Sequence, residues 1–477
     1  MSLLWTMEEL VAATGGRPVG RALEGVSGVS IDTRTLNPGD AFFAIKGEKF
    51  DGHDFATAAM VAGAGLLVVS EAKLPALGRL AVPMLVVPDV LKALEHVGQA
   101  ARARSKATVI AITGSAGKTT TKEMLRHCLA TSGKVHAADQ SFNNHWGVPL
   151  TLARMPVDCD YAVFEIGMNH PGEIRPLVKL VRPHIAVVTM VAAAHLGHFS
   201  SLEEIARAKG EIFEGVEPDG HALINRDDHR WKTLSKLASE AGVKNIWSFG
   251  EHARAQFKLV KCCLNADNST ITAKVDGQEL IAKIGAPGRH MVQNALAAIG
   301  AAYLAGADLA KVLLALADIV PERGRGRRHF LKHPEGSITL IDESYNANPA
   351  SMKAAIQLLD ATPVDGKGRR IAVLGDMLEL GAHSQKLHAA LADIISETST
   401  DLVFLAGQEM KALADKLPVD FRVEYRSRVE ELQPLLIETL KPGDAVMIKS
   451  SKSVGFSKLV DALVKHYPAA VARPVNA

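Results

Sequence analysis

The sequence predicts an α/β protein of three domains: a small α/β N-terminal domain, a central domain of the P-loop ATPase type, and a C-terminal doubly wound, Rossmann-like domain. Three observations carry this expectation. The chain has 477 residues, which at about 150 residues per domain allows roughly three. An apolar, β-branched run at 109–112 enters a turn of Gly and small residues that ends in Gly117-Lys118-Thr119-Thr120, and a helix-favouring stretch follows at 122–129. The last third repeats short apolar runs separated by helical stretches, the pattern of parallel strands with crossover helices.

Bulk composition narrows the function classes. The hydrophobic fraction of 47% is enough for several cores, and a net charge of +2 argues against a dedicated nucleic-acid surface. The one basic cluster, Arg323-Gly324-Arg325-Gly326-Arg327-Arg328, has no interleaved aromatics. Cys128, Cys159, Cys262 and Cys263 lack metal-ligand spacing and read as reduced thiols of a cytoplasmic protein. The N-terminus has no basic segment followed by an apolar run, so no signal peptide is expected. No apolar segment is long enough to span a bilayer, so no membrane insertion is expected.

Residues 1–106 form the first expected domain. Strands are read at 41–45 and 66–69, a helix between them at 54–62, and a further helix at 90–104. Two polar clusters stand out: Ser30-Ile31-Asp32-Thr33-Arg34, and the run from Lys46-Gly47 to Asp51-Gly52-His53. Each reads either as a solvated loop or as a site for a phosphorylated or nucleotide-like group.

Residues 107–322 form the second. Thr113-Gly114-Ser115-Ala116-Gly117-Lys118-Thr119-Thr120 is a strand–loop–helix cradle for a nucleoside triphosphate, shorter than the general pattern because Ile112 stands where its first glycine belongs. Backbone N–H groups and the helix dipole would meet phosphate, Lys118 would reach the β/γ-phosphates, and Thr119 would hold Mg²⁺. Glycine at 114 and 117 would allow backbone to approach phosphate closely. Asn143 and Asn144 lie in a Gly/Pro-bounded loop and suit either a polar substrate or a turn. Glu165 ends the strand at 161–166 and His195 follows the strand at 185–190, so both fall where ligands of open α/β sheets bind. Ser200 to Glu203 has capping-box spacing and starts a helix carrying Lys209. Asn294 lies at the start of an Ala-rich helix that runs to 305, where it could contact a base or cap.

Residues 323–477 form the third. Strands are read at 338–341, 371–374, 402–405 and 445–448, with polar groups clustered just beyond them. These include Asp342-Glu343-Ser344-Tyr345-Asn346-Ala347-Asn348-Pro349, Gly375-Asp376-Met377 and Lys449-Ser450-Ser451-Lys452. Pro349 suits the first turn of a helix.

Taken together, in this order and over nearly the whole chain, these residues resemble the Mur ligase family. The shortened loop from Thr113 to Lys122 is that family's own variant. Asn143-Asn144 with the segment 147–152, Glu165-Ile166-Gly167, His195, and Ala208-Lys209-Gly210-Glu211-Ile212-Phe213 are similar to its further segments. Tyr345-Asn346-Ala347-Asn348-Pro349 and the segment 374–381 point to its D-alanyl-D-alanine-adding branch. Asp51-Gly52-His53 is shared with the diaminopimelate- or lysine-adding relative, whose Asp-Asn-Pro-Arg does not occur in the third part.

The resemblance implies an ATP-dependent amide ligase that joins D-Ala-D-Ala to UDP-N-acetylmuramoyl-tripeptide through an acyl phosphate, as a cytoplasmic monomer. Its first domain would hold the UDP end through Ser30, Asp32, Arg34, Lys46, Gly47, Asp51 and His53. Asn143, Asn144, Tyr345, Asn346 and Asn348 would meet substrate. Asn294 would face adenine, Arg325 the phosphates, and Asp342 the ribose or a nearby phosphate. Thr119, Glu165 and His195 would hold Mg²⁺, and a carbamylated Lys209 a second ion; Lys118, Lys209 and His195 would be catalytic. Two departures stand out: Asp342-Glu343 replaces Asp-Asp, and Lys449-Ser450-Ser451-Lys452 replaces Lys-Gly-Ser-Arg. The second puts a point charge where the family has a bidentate fork. Other ligases of the same architecture, including a folylpolyglutamate synthase, and a nucleotide switch that ligates nothing are the alternatives.

Overall fold

The β-branched runs become buried strands and sort into three main sheets in chain order, beside a two-stranded antiparallel pair of Trp5–Thr6 and Gly25–Val26. A computed structural model describes residues 3–78, 80–139, 141–194 and 196–470. His195 lies outside the described residues.

The first sheet has the order Arg17–Val19, Met84–Val87, Leu66–Ser70, Ala41–Phe43, Val29–Ser30, parallel except at Arg17–Val19. The second has nine strands. Its parallel part runs Phe257–Leu264, Asn245–Gly250, His221–Asn225, Ile185–Val188, Thr108–Thr113, Tyr161–Glu165, Val135–Ala137. Ser269–Val275 and Gln278–Ile284 extend it as an antiparallel meander beside Phe257–Leu264. The third sheet runs Arg327–His333, Gly336–Glu343, Ala445–Lys449, Arg370–Gly375, Leu402–Ala406, Val423–Arg426, and only its first pair is antiparallel.

In the second sheet the strand that feeds the phosphate loop lies between Tyr161–Glu165 and Ile185–Val188. Glu165 pairs in register with Ile112, and Val188 with Thr113. The strand ends therefore flank the loop, at the carboxyl edge where open sheets bind ligands.

Several elements differ from the sequence reading. The phosphate-loop helix spans Lys118–Leu129, starting four residues earlier than expected, because Gly117 at φ +83° is its N-cap. The segment at 54–62 is a 3₁₀ turn, Gly52–Phe55, followed by the helix Ala56–Val61. Ser201, not Ser200, caps the helix Leu202–Gly210: its hydroxyl accepts from Glu204 N at 3.2 Å, while Glu204 takes the Ser200 N–H at 2.6 Å. Asn294 falls in the second turn of Arg289–Leu304. No strand is expected at the meander from the sequence pattern, although Ser269–Val275 alternates buried residues with half-buried ones and the exposed Lys274, as a half-buried strand should. The Arg-rich stretch runs into the antiparallel edge strand Arg327–His333, so the third sheet is not wholly parallel.

The helix Val90–Arg104 has the expected bounds. Asp89 caps it by accepting from Lys92 N at 3.0 Å, and Val90, Ala93, Leu94, Val97 and Ala101 form its buried stripe. At Gly98 a Cβ would stand 3.1 Å from both Leu152 Cβ and Pro149 O, so glycine permits close contact with the helix Gly147–Ala153. This apolar core is continuous from the first sheet, through that helix, into Val109 and Ala111 of the phosphate-loop strand. Trp5 closes one edge. It is 2% exposed, donates Nε1–H to Ala153 O at 2.8 Å, and lies under the Arg104 guanidinium 3.4 Å from the ring centre. The third domain has its own cores. It meets the second through Asn348 Nδ2 donating to Ser115 O (3.2 Å), Gly197 N donating to Glu379 O (2.8 Å) and the ion pair Arg328–Asp267 (2.9 Å).

Trp5→Ala should cost about 3–5 kcal/mol, the usual range for deleting a buried aromatic. Urea denaturation followed by circular dichroism checks this, and the earliest transition should move.

Candidate functional site

A cavity of about 1650 Å³ opens between the second and third domains. Its floor is the phosphate loop. Ser115, Ala116, Gly117, Lys118, Thr119 and Thr120 line it, whereas Thr113 is fully buried beneath and Gly114 does not reach the lining. The backbone N–H groups of Gly117, Lys118, Thr119 and Thr120 have no acceptor among the described residues, and no side chain caps the helix. A helix N-terminus left in that state attracts anions.

The glycines have a reason that was not read from the sequence. A Cβ on Gly114 would lie 1.8 Å from Thr189 Oγ1, and one on Gly117 would lie 2.3 Å from Asn294 Oδ1. Packing inside the protein therefore demands them, before any phosphate approaches.

The charge balance of the floor is cationic. Lys118 Nζ donates to Gly114 O at 2.8 Å. Burial lowers the Lys118 pKa and the neighbouring Arg325 adds to the effect, while Glu165 opposes it. Lys209 is 3% exposed and lines the same cavity. It has no hydrogen-bond or ion-pair partner among the described residues, and burial, with Lys118 nearby, holds its pKa well below the ordinary lysine value. Arg325 stacks on the Tyr345 ring at 4.0 Å, and Lys452 lies 5.1 Å from the same ring. The cavity lining as a whole also carries carboxylates, among them Glu165, Asp227, Asp228, Glu251 and Glu343, but the cations gathered at the phosphate loop suit a polyanion.

Oxygen donors converge beside this charge. Thr119 Oγ1 donates to Glu165 Oε2 at 2.7 Å and lies 3.1 Å from Ser141 Oγ, and Asn143 Nδ2 donates to the other Glu165 oxygen at 2.7 Å. A hydroxyl and a carboxylate at the mouth of a phosphate loop are the hard-oxygen chemistry that Mg²⁺ takes, usually with waters and substrate phosphates completing the set. The residues present fit the ion.

From the third domain, Tyr345, Asn346 and Asn348 line the opposite wall. Asn348 also caps the helix Pro349–Asp360 through Ser351 N (2.9 Å). Glu343 and Lys449 form a buried pair at 3.1 Å on the same wall. Asn294 lines the cavity from the second domain.

Two expected contacts are not made in this arrangement. Asp342 is fully buried and does not line the cavity: its carboxylate accepts from Gly324 N (2.8 Å), Ser344 N (3.1 Å) and Ser344 Oγ (2.6 Å), which shapes the turn leading to Arg325. Asn144 Oδ1 accepts from Gly147 N, the first residue of the following helix, at 2.9 Å, and only Asn143 lines the cavity.

None of the first-domain residues lines this cavity. Ser30 is buried, its hydroxyl closing a local turn with Asp32. Asp32 pairs with the exposed Arg34 at 2.6 Å. The backbones of Lys46 and Asp51 pair in an isolated antiparallel bridge, and Gly47 N donates to Phe50 O, which shapes one loop. Asp51 holds His53 Nδ1 at 2.6 Å and Lys73 Nζ at 2.9 Å, and His53 Nε2 accepts from Ser70 N. Burial alone would raise the Asp51 pKa, but Lys73 and His53 overrule it and hold the carboxyl well below the usual carboxylate range.

The sequence alone gives Thr189 and Ser141 no role, whereas Lys449 stands in a cluster beyond the last strand that offers a phosphate or carboxylate contact and here pairs with Glu343. Thr189 had a usable signal, since it closes a predicted strand as Glu165 does.

Three family models match in chain order: the Mur ligase family catalytic domain at 25–102, the Mur ligase middle domain at 112–302, and the Mur ligase glutamate ligase domain at 326–452. The UDP-N-acetylmuramoyl-tripeptide–D-alanyl-D-alanine ligase of Escherichia coli (strain K12) is 35% identical over 462 residues, covering 96% of this chain and 98% of that protein. The chain belongs to the Mur ligase family. The ligase of the same name from Bacillus subtilis (strain 168) is 34% identical, covering 92% of this chain and 93% of its own. A crystal structure of MurF from Acinetobacter baumannii superposes on this Mur ligase with a TM-score of 0.84 at 30% identity, covering 97% and 99% of the two chains. The three-domain architecture is shared.

The Asp51 contacts predict a pH effect. A depressed folded-state pKa gives stability that is complete above the unfolded value near 4 and drains away as pH falls through the folded value. Asp51→Asn should destabilise by about 2 kcal/mol at pH 7, the scale of hydrogen bonds to a charged group. Thermal unfolding should show the gap from the parent protein narrowing below about pH 4.

Proposed function

We propose that this chain joins D-Ala-D-Ala to UDP-N-acetylmuramoyl-tripeptide at the expense of ATP, giving ADP and phosphate. The observation that carries the reading is one cavity in which Lys118, the Thr119–Glu165 oxygen pair and the Tyr345–Asn348 wall face each other. Names of relatives aligned over nearly the full chain support the same substrates.

The proposed division of labour has residues 1–106 holding the UDP end, 107–322 binding ATP and Mg²⁺, and 323–477 presenting the dipeptide. The first-domain clusters at Ser30–Arg34 and Lys46–His53 lie apart from the ATP cavity, as suits a long substrate anchored at its far end. The tripeptide carboxylate attacks the γ-phosphorus of ATP, and the bond to the β–γ bridging oxygen breaks, releasing ADP. The neutral amine of D-Ala-D-Ala then adds to the acyl-phosphate carbonyl, loses its proton, and expels phosphate. Lys118, Arg325 and the free N–H groups of the loop take up the phosphoryl charge. Thr119, Glu165 and His195 would hold Mg²⁺, which would neutralise the approach of anion to anion.

Lys209 carries a carbamate in this proposal. Burial beside Lys118 favours its neutral amine, which can add to CO₂ with loss of a proton. The product is an anion in place of a cation, suited to a second Mg²⁺. The proposal takes the enzyme to be a cytoplasmic monomer. The four thiols are free, and among the described residues no helix is long and apolar enough to cross a membrane.

A coupled phosphate-release assay with ATP, the diaminopimelate and lysine forms of the muramoyl tripeptide, and D-Ala-D-Ala tests the reaction. No release that depends on the dipeptide would refute it. Lys118→Ala should lower turnover by about a thousandfold or more, as loss of a transition-state contact does, with an unchanged far-ultraviolet circular dichroism spectrum. Lys209→Ala should be inactive and regain part of its turnover with added short carboxylic acids. A fully active Lys209→Ala enzyme removes the carbamate.

A further inference from the structure

The phosphate loop is held from one side by the segment that follows the strand Ile185–Val188. Thr189 is 4% exposed, and its Oγ1 donates to Ala116 O at 2.6 Å, with Thr113 O farther off at 3.3 Å. The Ser115 N–H donates to Met190 O at 2.8 Å. Ser115 Oγ donates to Ala192 O at 3.0 Å and accepts from Ala192 N at 2.9 Å. The segment is anchored in turn: Asn225 Nδ2 donates to Thr189 O at 2.9 Å, and Val191 N donates to Asp228 Oδ2 at 2.6 Å.

In a trans peptide the C=O and the following N–H point in opposite directions. A hydroxyl that holds the Ala116 carbonyl toward Thr189 therefore turns the Gly117 N–H away from it. That N–H, with those of Lys118, Thr119 and Thr120, has no protein acceptor among the described residues. Gly114 must lack a Cβ because Thr189 Oγ1 fills the place. The Ser115 hydroxyl is already committed on both its donor and its acceptor side.

We propose that Thr189 is a positioning residue for nucleotide binding: its hydroxyl sets the Ala116–Gly117 peptide so that the loop is shaped for a triphosphate before one binds. Ser115 serves the same clamp through its own hydroxyl. The inference rests on the ATP-binding part of the proposed function. It does not depend on which amide is made.

Thr189→Val keeps the shape and removes the hydroxyl, leaving Ala116 O unpaired, whereas Thr189→Ser keeps the hydroxyl. Isothermal titration with ADP and with a non-hydrolysable ATP analogue reads the loop directly. The Val variant should bind about tenfold more weakly, the factor equivalent to 1.4 kcal/mol. The Ser variant should stay within about threefold of the parent. In the ligation assay the Val change should raise KM for ATP and leave KM for D-Ala-D-Ala unaltered, a split that general loss of structure would not produce. Parent-like nucleotide affinity in Thr189→Val overturns the inference, and so does equal loss in Val and Ser. A parent enzyme that binds nucleotide without ligating leaves the clamp to be judged on affinity and removes only the ligase reading. A parent that binds no nucleotide removes both.

Discussion

Positive charge gathered at the phosphate loop, in excess of the Glu165 carboxylate that opposes it there, is the constraint on which the site depends. Lys118, Lys209 and Arg325 face one cavity, where Arg325 disfavours protonation of Lys118, and Lys118 that of Lys209. Glu165 offsets part of this, but its oxygens are already engaged by Thr119 and Asn143. A folded protein tolerates this imbalance where a bound polyanion relieves it. The free N–H groups of the loop add the same sign of potential from the backbone. The floor is thus shaped for phosphate by charge, by helix geometry and by the glycines that let Thr189 and Asn294 pack against it.

The two junctions between domains differ in kind. An apolar core crosses from the first sheet through Val90–Arg104 into the phosphate-loop strand, so the first two domains pack as one body. The second and third meet through polar contacts: Asn348 on Ser115, Gly197 on Glu379, and Arg328 on Asp267. Polar contacts exchange with water at modest cost, whereas an apolar core does not open without exposing its surface. Closure that assembles the site is therefore expected at the turn before Arg325, which the buried Asp342 shapes. Motion at Lys106 would have to break the shared core.

Much of the site was legible because strand ends collect ligands. Glu165 and the run from Tyr345 to Asn348 were picked out by position alone, and both line the cavity. The same rule could not separate neighbours. Asn143 and Asn144 are adjacent amides, yet one bonds Glu165 and the other takes the Gly147 N–H at the start of a helix. Asp342 and Glu343 are adjacent carboxylates on a strand, where successive side chains point to opposite faces, so one is spent on a turn and the other reaches Lys449. The antiparallel meander at 257–284 was missed because its alternation is mixed with lysines and short polar residues, a weaker signal than a continuous buried run.

By itself the chain determined what neighbouring residues decide together: the buried strands, the helix Val90–Arg104, the turn that needs Gly117, and the family whose motifs occur in this order. Tertiary structure alone decided which groups meet. Lys209, on an amphipathic helix, is 3% exposed rather than solvated, and Thr189 reaches Ala116 across 73 positions of sequence. The physical reason is range. Backbone geometry follows from local sterics and periodicity, while the convergence of side chains on one cavity follows from how distant elements pack.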